Sequence, residues 1–294
     1  MKKLLILSSL IVGCSLASCG KDGAGRTSLD KGLTYELDSE TNGYIVSYNG
    51  KREQSLLGRY TITIPEKHNG KPVTKIAENG FSNIDGLEIV NIPDTIVDIG
   101  AFAFKGCTSL VSAPIPSKVT ILKESIFEHT SIWSLTIPEG VTEIKSNAFS
   151  LTHLKEISIP KNVVLIEAGA FSYNSNLLKI NIDQENSIYE TMDSNIIVEK
   201  NTGKMILGTR GMTFPSTLSL IGSYAFKGIS FTYDKSDHSY VQPLYIPATI
   251  LYIEKNAFTN CKYLTLNCEA EEQPEGWEEG WQNNNEAFEL HFGK

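Results

Sequence analysis

Histidine, cysteine and serine are the residue types that could hold a metal ion or act as a nucleophile in this chain, and their spacing argues against both roles. The histidines are His68, His129, His153, His238 and His291. No two of them have the H-x-H or H-x-x-x-H spacing of metal ligands, and no cysteine accompanies one in a zinc-like arrangement. The serines lack a G-x-S-x-G context, and no glycine-rich loop follows a strand. The sequence therefore predicts no catalytic residue, no metal site and no cofactor.

Two polar clusters come closest to a chemical site. Asp234, Asp237 and His238 lie within five residues of one another, but their spacing matches no metal or catalytic motif, and a polar loop tip explains them. The oxygen-bearing run at 183–186 lacks the position-by-position order of a calcium loop. We therefore predict a protein that is not an enzyme.

A repeat spaces most of the remaining residues. Six prolines are each followed eleven residues later by a phenylalanine, with aliphatic residues three and six positions after the proline. The prolines are Pro93, Pro116, Pro138, Pro160, Pro215 and Pro247, and the phenylalanines are Phe104, Phe127, Phe149, Phe171, Phe226 and Phe258. A fixed offset that recurs while the intervening residues vary indicates a structural repeat.

Each repeat unit predicts three short elements. Apolar and polar residues alternate before the proline, as in Leu135-Thr136-Ile137, which predicts a half-buried strand that the proline ends. The aliphatic pair after the proline predicts a second short strand. The Ala-Phe pair, such as Ala148-Phe149, predicts a compact helical or 3-10 turn. One coil cannot bury these groups alone, so we expect stacked coils with superimposed phenylalanines.

The pattern I-x-I-P-x-x-V-x-x-I-x-x-x-A-F resembles the BspA-like leucine-rich repeats of bacterial surface lipoproteins, over residues 57–265. The resemblance implies an α/β, mostly β, right-handed solenoid. Its stacked coils of 22–23 residues would contain short strands and short helical or 3-10 turns, with caps at both ends. It also implies a surface protein that adheres to host or neighbouring-cell proteins without catalysing a reaction.

The departures from the repeat suggest the domain organisation. We expect a lipoprotein signal peptide at 1–18, a flexible tether at 19–31, an N-terminal cap hairpin at 32–56, the repeats at 57–265 and a C-terminal cap at 266–294. Two inserts interrupt the repeats, a hairpin at 184–212 and a loop at 230–242. In the C-terminal cap, Trp277 and Trp281 are expected to cover the last coil.

The first residues predict an address. A basic start and a short apolar run end in Leu16-Ala17-Ser18-Cys19, which resembles a bacterial lipobox. Lipid on Cys19 would anchor the protein to a membrane, and we expect a surface-exposed position in the outer membrane of a bacterial cell envelope. An ordinary cleaved signal that happens to end near a cysteine is the alternative.

Charge and cysteine content limit the partners and the cross-links. The formal net charge is −8, or −10 without Lys2 and Lys3, and this acidity argues against nucleic acid as a partner. Cys107 and Cys261 lie too many coils apart for a disulfide, and we expect buried free thiols. A disulfide between Cys261 and Cys268 is the alternative.

Outward positions of the first strands and an aromatic loop are the candidate contact residues. The strand positions are Thr136, Ser158, Asn181, Thr213 and Tyr245, and the loop residues are Phe231, Tyr233 and Tyr240. Threonine and serine are also ordinary fillers of an exposed sheet, and the rings could fold back over a neighbouring coil. We expect a monomer that binds a protein ligand, with proteins of the host extracellular matrix as the candidates. A glycan-binding accessory lipoprotein is the alternative, although among the strand positions Tyr245 alone offers an aromatic platform.

Overall fold

Short parallel strands dominate the chain. The computed structural model describes residues 26–50, 58–193, 195–231 and 243–294, and everything below refers to them. The strands are β1 (Thr27–Ser28), β2 (Leu33–Asp38), β3 (Gly43–Tyr48), β4 (Tyr60–Thr63), β5 (Lys67–His68), β6 (Lys71–Ile76), β7 (Leu87–Asn91), β8 (Asp98–Ile99), β9 (Ile121–Leu122), β10 (Glu143–Ile144), β11 (Glu156–Ile159), β12 (Leu165–Ile166), β13 (Lys179–Ile182), β14 (Tyr189–Met192), β15 (Ile196–Glu199), β16 (Lys204–Gly208), β17 (Leu220–Ile221), β18 (Leu244–Ile246), β19 (Tyr252–Ile253), β20 (Thr265–Cys268) and β21 (Glu289–Phe292).

The strands that follow the prolines stack in parallel, as the repeat predicts. β8 pairs with β6, β10 lies between β9 and β12, and β17 lies between β16 and β19. The register places Leu122, Ile144 and Ile166 side by side. All three are buried and belong to the apolar core cluster of the coils before the hairpin insert. A second cluster, to which the insert also contributes, fills the later coils.

The alternation of apolar and polar residues predicts a strand before every repeat proline, but some of these strands are absent from the described residues. β4 pairs with β7, β11 pairs with β13 and β18 pairs with β20, but residues 132–138 are in no strand. The preceding coil has prolines at 114 and 116. Because proline has no N–H, it cannot donate to a ladder, and the sheet is interrupted there.

The Ala-Phe segments are turns, and the predicted helical or 3-10 conformation is not confirmed there. The one helix among the described residues is a 3-10 helix at Asp30–Gly32. The residues two before and two after each repeat phenylalanine have positive φ, for example Asn147 (54°) and Leu151 (56°). A helix needs consecutive right-handed residues, so these left-handed residues prevent one.

The backbone N–H groups of these turns point alternately to the next coil and to their own coil. In one coil, the N–H groups of Phe102, Phe104 and Gly106 donate to carbonyl oxygens of the next coil at 2.8–3.0 Å. The intervening N–H of Lys105 donates within its own coil, to Phe102 O at 3.1 Å. The turns therefore join neighbouring coils by hydrogen bonds as the strands do.

The predicted phenylalanine ladder is present in two parts. Phe81, Phe104, Phe127, Phe149 and Phe171 form stacked neighbouring pairs with ring centroids 5.3–5.9 Å apart. Phe226 and Phe258 stack at 4.5 Å. The hairpin insert at 184–212 lies between the two parts. A Cβ on Gly208 of this insert would come within 2.5 Å of the Phe226 ring. The insert thus fits against Phe226 because it has glycine at this point.

The insert is built into the core. β15 is antiparallel to both β14 and β16, and β16 continues the stack by pairing in parallel with β17. The buried Asn186 holds its first turn: its Nδ2 donates to the carbonyls of Pro160 and Val163, and its Oδ1 accepts from the N–H of Tyr189 at 2.7 Å.

Strands outside the repeat pattern lie beside the first coil and the last coil. The antiparallel β2–β3 pair lies beside β6. At the other end Trp277 and Trp281 are buried, and the Trp281 ring meets Phe258 edge-on at 5.6 Å. β21 then pairs with β20. No helix among the described residues is long and apolar enough to cross a membrane.

Candidate binding surface

Three neighbouring coils in the middle of the repeats present a mixed apolar and polar surface. It consists of three rows of outward residues, and we call it the central surface. The rows are Trp133, Lys155 and Leu178; Ser134, Glu156 and Lys179; and Thr136, Ser158 and Asn181. Eight of these side chains are exposed, and Asn181 is half-buried.

Backbone contacts hold the coils of the central surface side by side. The N–H of Lys155 donates to Trp133 O at 3.4 Å, and the N–H of Leu178 donates to Lys155 O at 3.0 Å. Farther along, β11 and β13 align Ser158 with Asn181. These bonds fix the three rows because they lie in the repeat scaffold and not in a free loop.

Trp133 is the most exposed large apolar residue of the described chain, at 58%. Leu178 is 51% exposed. Val111, at the corresponding position of the coil that precedes Trp133, is 37% exposed. By contrast, Trp277 and Trp281 are buried. Tryptophan is enriched among the residues that dominate binding energy at interfaces, so the exposure of Trp133 makes this surface the candidate contact site.

Charges on the central surface are unevenly paired. The carboxylate of Glu156 lies 3.5 Å from the ammonium of Lys179. Lys155 is exposed and makes no ion pair among the described residues. The surface thus has one uncompensated positive charge on a chain whose formal net charge is −8.

The strand residues proposed from the sequence fall in separate places. Thr136, Ser158 and Asn181 lie together, and Asn181 Nδ2 donates to Ser158 Oγ at 3.4 Å. Thr213 is exposed but lies in no strand, after the insert. Tyr245 is 57% exposed in β18, in register with Asn267 of β20. Only the first three therefore share one surface.

One residue of the predicted aromatic loop is buried. Phe231, expected to be an exposed contact, is 5% exposed, and its ring lies 6.5 Å from that of Phe226. It fills the space beside the interrupted phenylalanine ladder, which is why it turns inward. Tyr233 and Tyr240 lie outside the described residues, as does Cys19.

Sequence reasoning missed Trp133. Its row has Glu88, Val111, Lys155 and Leu178 in the neighbouring coils, and these four side chains share no common type. A tryptophan at a position that otherwise holds charged and aliphatic residues was the available signal. The repeat describes what is constant between coils, and Trp133 differs from its counterparts.

The buried thiols are structural. Cys107 and Cys261 donate from Sγ to the carbonyl oxygens of Phe81 and Phe226 at 2.9 and 3.1 Å, and the predicted free thiols are confirmed, with no Cys261–Cys268 bond. Burial raises the pKa of Cys261 to about 12, which disfavours the reactive thiolate. Among the described residues, no three His, Cys, Asp or Glu side chains are grouped to hold a metal ion.

Solved structures share this fold. A leucine rich cell surface protein from Faecalibacterium prausnitzii is 20% identical with a TM-score of 0.52, over 90% of this chain and 94% of that one. A leucine-rich repeat protein from Bacteroides ovatus is 19% identical with a TM-score of 0.55, over 85% and 67%. One from Eubacterium ventriosum is 20% identical with a TM-score of 0.52, over 82% and 71%. A search of curated proteins returned no match.

A family model connects these observations to a family. The model described as BspA type leucine rich repeat region matches six copies, at residues 74–196, 206–265 and 237–273. These ranges cover more than half of the chain and include the central surface. The chain belongs to the BspA type leucine-rich-repeat family.

Proposed function

We propose that this protein is a non-enzymatic, surface-anchored binding protein that adheres to proteins of a host or a neighbouring cell, and that the central surface is its contact site. The exposure of Trp133 is the observation that carries the proposal. A partner that covers a large apolar ring removes its surface from water, which contributes favourably to the free energy of binding. Family membership and the likeness to a protein described as a cell surface protein support the class of function.

Cys19 supplies the location in this proposal. The lipobox-like Leu16-Ala17-Ser18-Cys19 supports acylation of this cysteine and an outer-membrane, surface-exposed position. Radiolabelled palmitate should be incorporated into the wild-type protein and not into Cys19→Ala. Incorporation into Cys19→Ala would refute this anchor, and resistance of the intact cells' protein to added protease would refute surface exposure.

A binding screen tests the function. The lipid-free protein (residues 20–294) would be applied to immobilised extracellular-matrix proteins and to a glycan array. We expect binding to at least one protein, and its loss in Trp133→Ser. Tyr252→Ser is the matched control because Tyr252 is a 55% exposed aromatic residue on β19, outside the central surface. Circular dichroism would verify that both variants fold.

A glycan ligand is the second candidate. The sequence analysis gave this alternative only Tyr245 as an aromatic platform, and the exposed indole ring of Trp133 offers a second one on which a sugar could stack. Binding to glycans alone, lost in Trp133→Ser, would replace the adhesion proposal with this one. Binding that persists in Trp133→Ser would exclude the central surface under either function.

A further inference from the structure

We propose that the central surface recognises an acidic, apolar segment of its protein partner, in which a carboxylate beside an apolar side chain contacts Lys155 and Trp133. This inference rests on the proposed function and adds the chemistry of the partner. It follows from three features of the surface: its apolar content, the position of one charge, and the charge of the rest of the molecule.

The apolar content comes from the first row. Trp133 and Leu178 are 58% and 51% exposed, and Lys155 lies between them, on the coil that hydrogen-bonds to both. Val111 extends the row by one coil. Burial of apolar surface contributes about 25 cal/mol per Å², so a partner gains most by placing an apolar side chain on this row.

The position of Lys155 sets the preferred charge. Glu156 and Lys179 neutralise each other at 3.5 Å, whereas Lys155 has no ion-pair partner among the described residues. An ammonium group in the same row as two exposed apolar residues attracts an incoming carboxylate and repels an incoming cation. Recognition of an acidic segment therefore uses the one charge of the central surface that has no ion-pair partner among the described residues.

The rest of the molecule makes this charge distinctive. The chain has a formal net charge of −8, so an acidic partner meets net repulsion from the molecule as a whole, whereas the three charged residues of the central surface sum to +1. Such a partner should bind in one place and orientation, since charge complementarity mainly supplies specificity. Salt should weaken the contribution of Lys155 because the lysine is solvent-exposed.

Three synthetic peptides test the inference. In the acidic probe, aspartate alternates with leucine and phenylalanine; the basic probe has lysine for aspartate; the polar probe has serine for the apolar residues. Fluorescence anisotropy of labelled probes would be measured with wild-type protein, Trp133→Ser, Lys155→Glu and the control Lys118→Glu, which changes an exposed lysine outside the central surface.

We expect the wild-type protein to bind the acidic probe at least about tenfold more tightly than either other probe. Lys155→Glu should remove this preference or reverse it towards the basic probe, Trp133→Ser should abolish binding, and Lys118→Glu should change neither. Equal binding of the acidic and basic probes, no binding of the acidic probe, or an unchanged preference in Lys155→Glu would overturn the inference.

The proposed function fails separately. If Trp133→Ser abolishes binding of a matrix protein but charge has no effect on the probes, only the chemistry assigned to the partner is wrong. If Trp133→Ser leaves matrix-protein binding intact, the central surface itself is not the contact site.

Discussion

The hydroxyl oxygen of Tyr189 accepts a hydrogen bond from the backbone N–H of Ile166 at 2.9 Å. Ile166 ends β12, which pairs with β10 and with no other strand among the described residues. A side chain of the insert thus occupies a place that the next coil fills elsewhere. The insert is therefore part of the scaffold and not a loop attached to it.

Tyr189→Phe should destabilise the protein by about 1–3 kcal/mol, because it leaves a buried backbone N–H without a partner. The free energy of unfolding measured in urea would show this loss, and the Ile166 amide should exchange hydrogen faster. Tyr245→Phe is the control, since Tyr245 is 57% exposed and should change stability by less than about 0.5 kcal/mol. Equal stabilities of the two variants would contradict the role of the hydroxyl.

Removal of one ring from the phenylalanine ladder should depend on the number of its stacked neighbours. Phe149 stacks on Phe127 and Phe171, whereas Phe171 stacks only on Phe149 among the described residues. Phe149→Leu should therefore cost more than Phe171→Leu by about 0.5–1.5 kcal/mol, the contribution of one aromatic pair. Urea unfolding of both variants measures the difference. Equal losses would mean that ring stacking adds nothing to apolar burial.

Leu151 is a stabilisation site. It has φ of 56° and is 40% exposed, and a leucine in the left-handed region costs roughly 1–2 kcal/mol. Leu151→Asn should raise the free energy of unfolding by about 0.5–1 kcal/mol, since asparagine tolerates this conformation. The reverse change at the other left-handed position of the same coil, Asn147→Leu, should lower it. A destabilised Leu151→Asn would show that the leucine has a contact that outweighs its backbone conformation.

Asp38 makes the N-terminal hairpin sensitive to acid. Hydrogen bonds from Lys75 Nζ at 2.9 Å and Thr41 Oγ1 at 2.7 Å lower the pKa of Asp38 to about 2, from an ordinary value of 3.8. Because the folded pKa is lowered, its stabilisation is fully present above pH 3.8 and is lost as the pH falls through about 2. The stability difference between wild type and Asp38→Asn should therefore shrink between these pH values. A constant difference would contradict the ion pair.

The regular part of the fold could be predicted because each repeat has the same buried residues. The spacing of Pro138, Val141, Ile144 and Phe149 recurs, and it reports packing that every coil shares. The left-handed residues on either side of each repeat phenylalanine were harder to predict. Asn147 favours this conformation, but Leu151 does not. The absence of a strand at 132–138 depends on Pro114, a residue in a different coil.

The candidate site could be predicted only in part for the same reason. Thr136, Ser158 and Asn181 belong to the repeat and were found, but their polar side chains resemble any exposed strand. Phe231 was proposed as a contact residue but is buried beside Phe226, and the exposed Trp133 was missed, because burial depends on neighbouring coils.

Iodide quenching of tryptophan fluorescence tests the central claim most directly. Trp277 and Trp281 are buried and Trp133 is 58% exposed, so the quenchable emission of the chain's three tryptophans comes mainly from Trp133. When the lipid-free protein binds a tryptophan-free acidic probe, or a fragment of a matrix protein that lacks tryptophan, we predict that the quenchable fraction falls. Saturated binding with unchanged quenching would contradict the assignment of the central surface as the contact site.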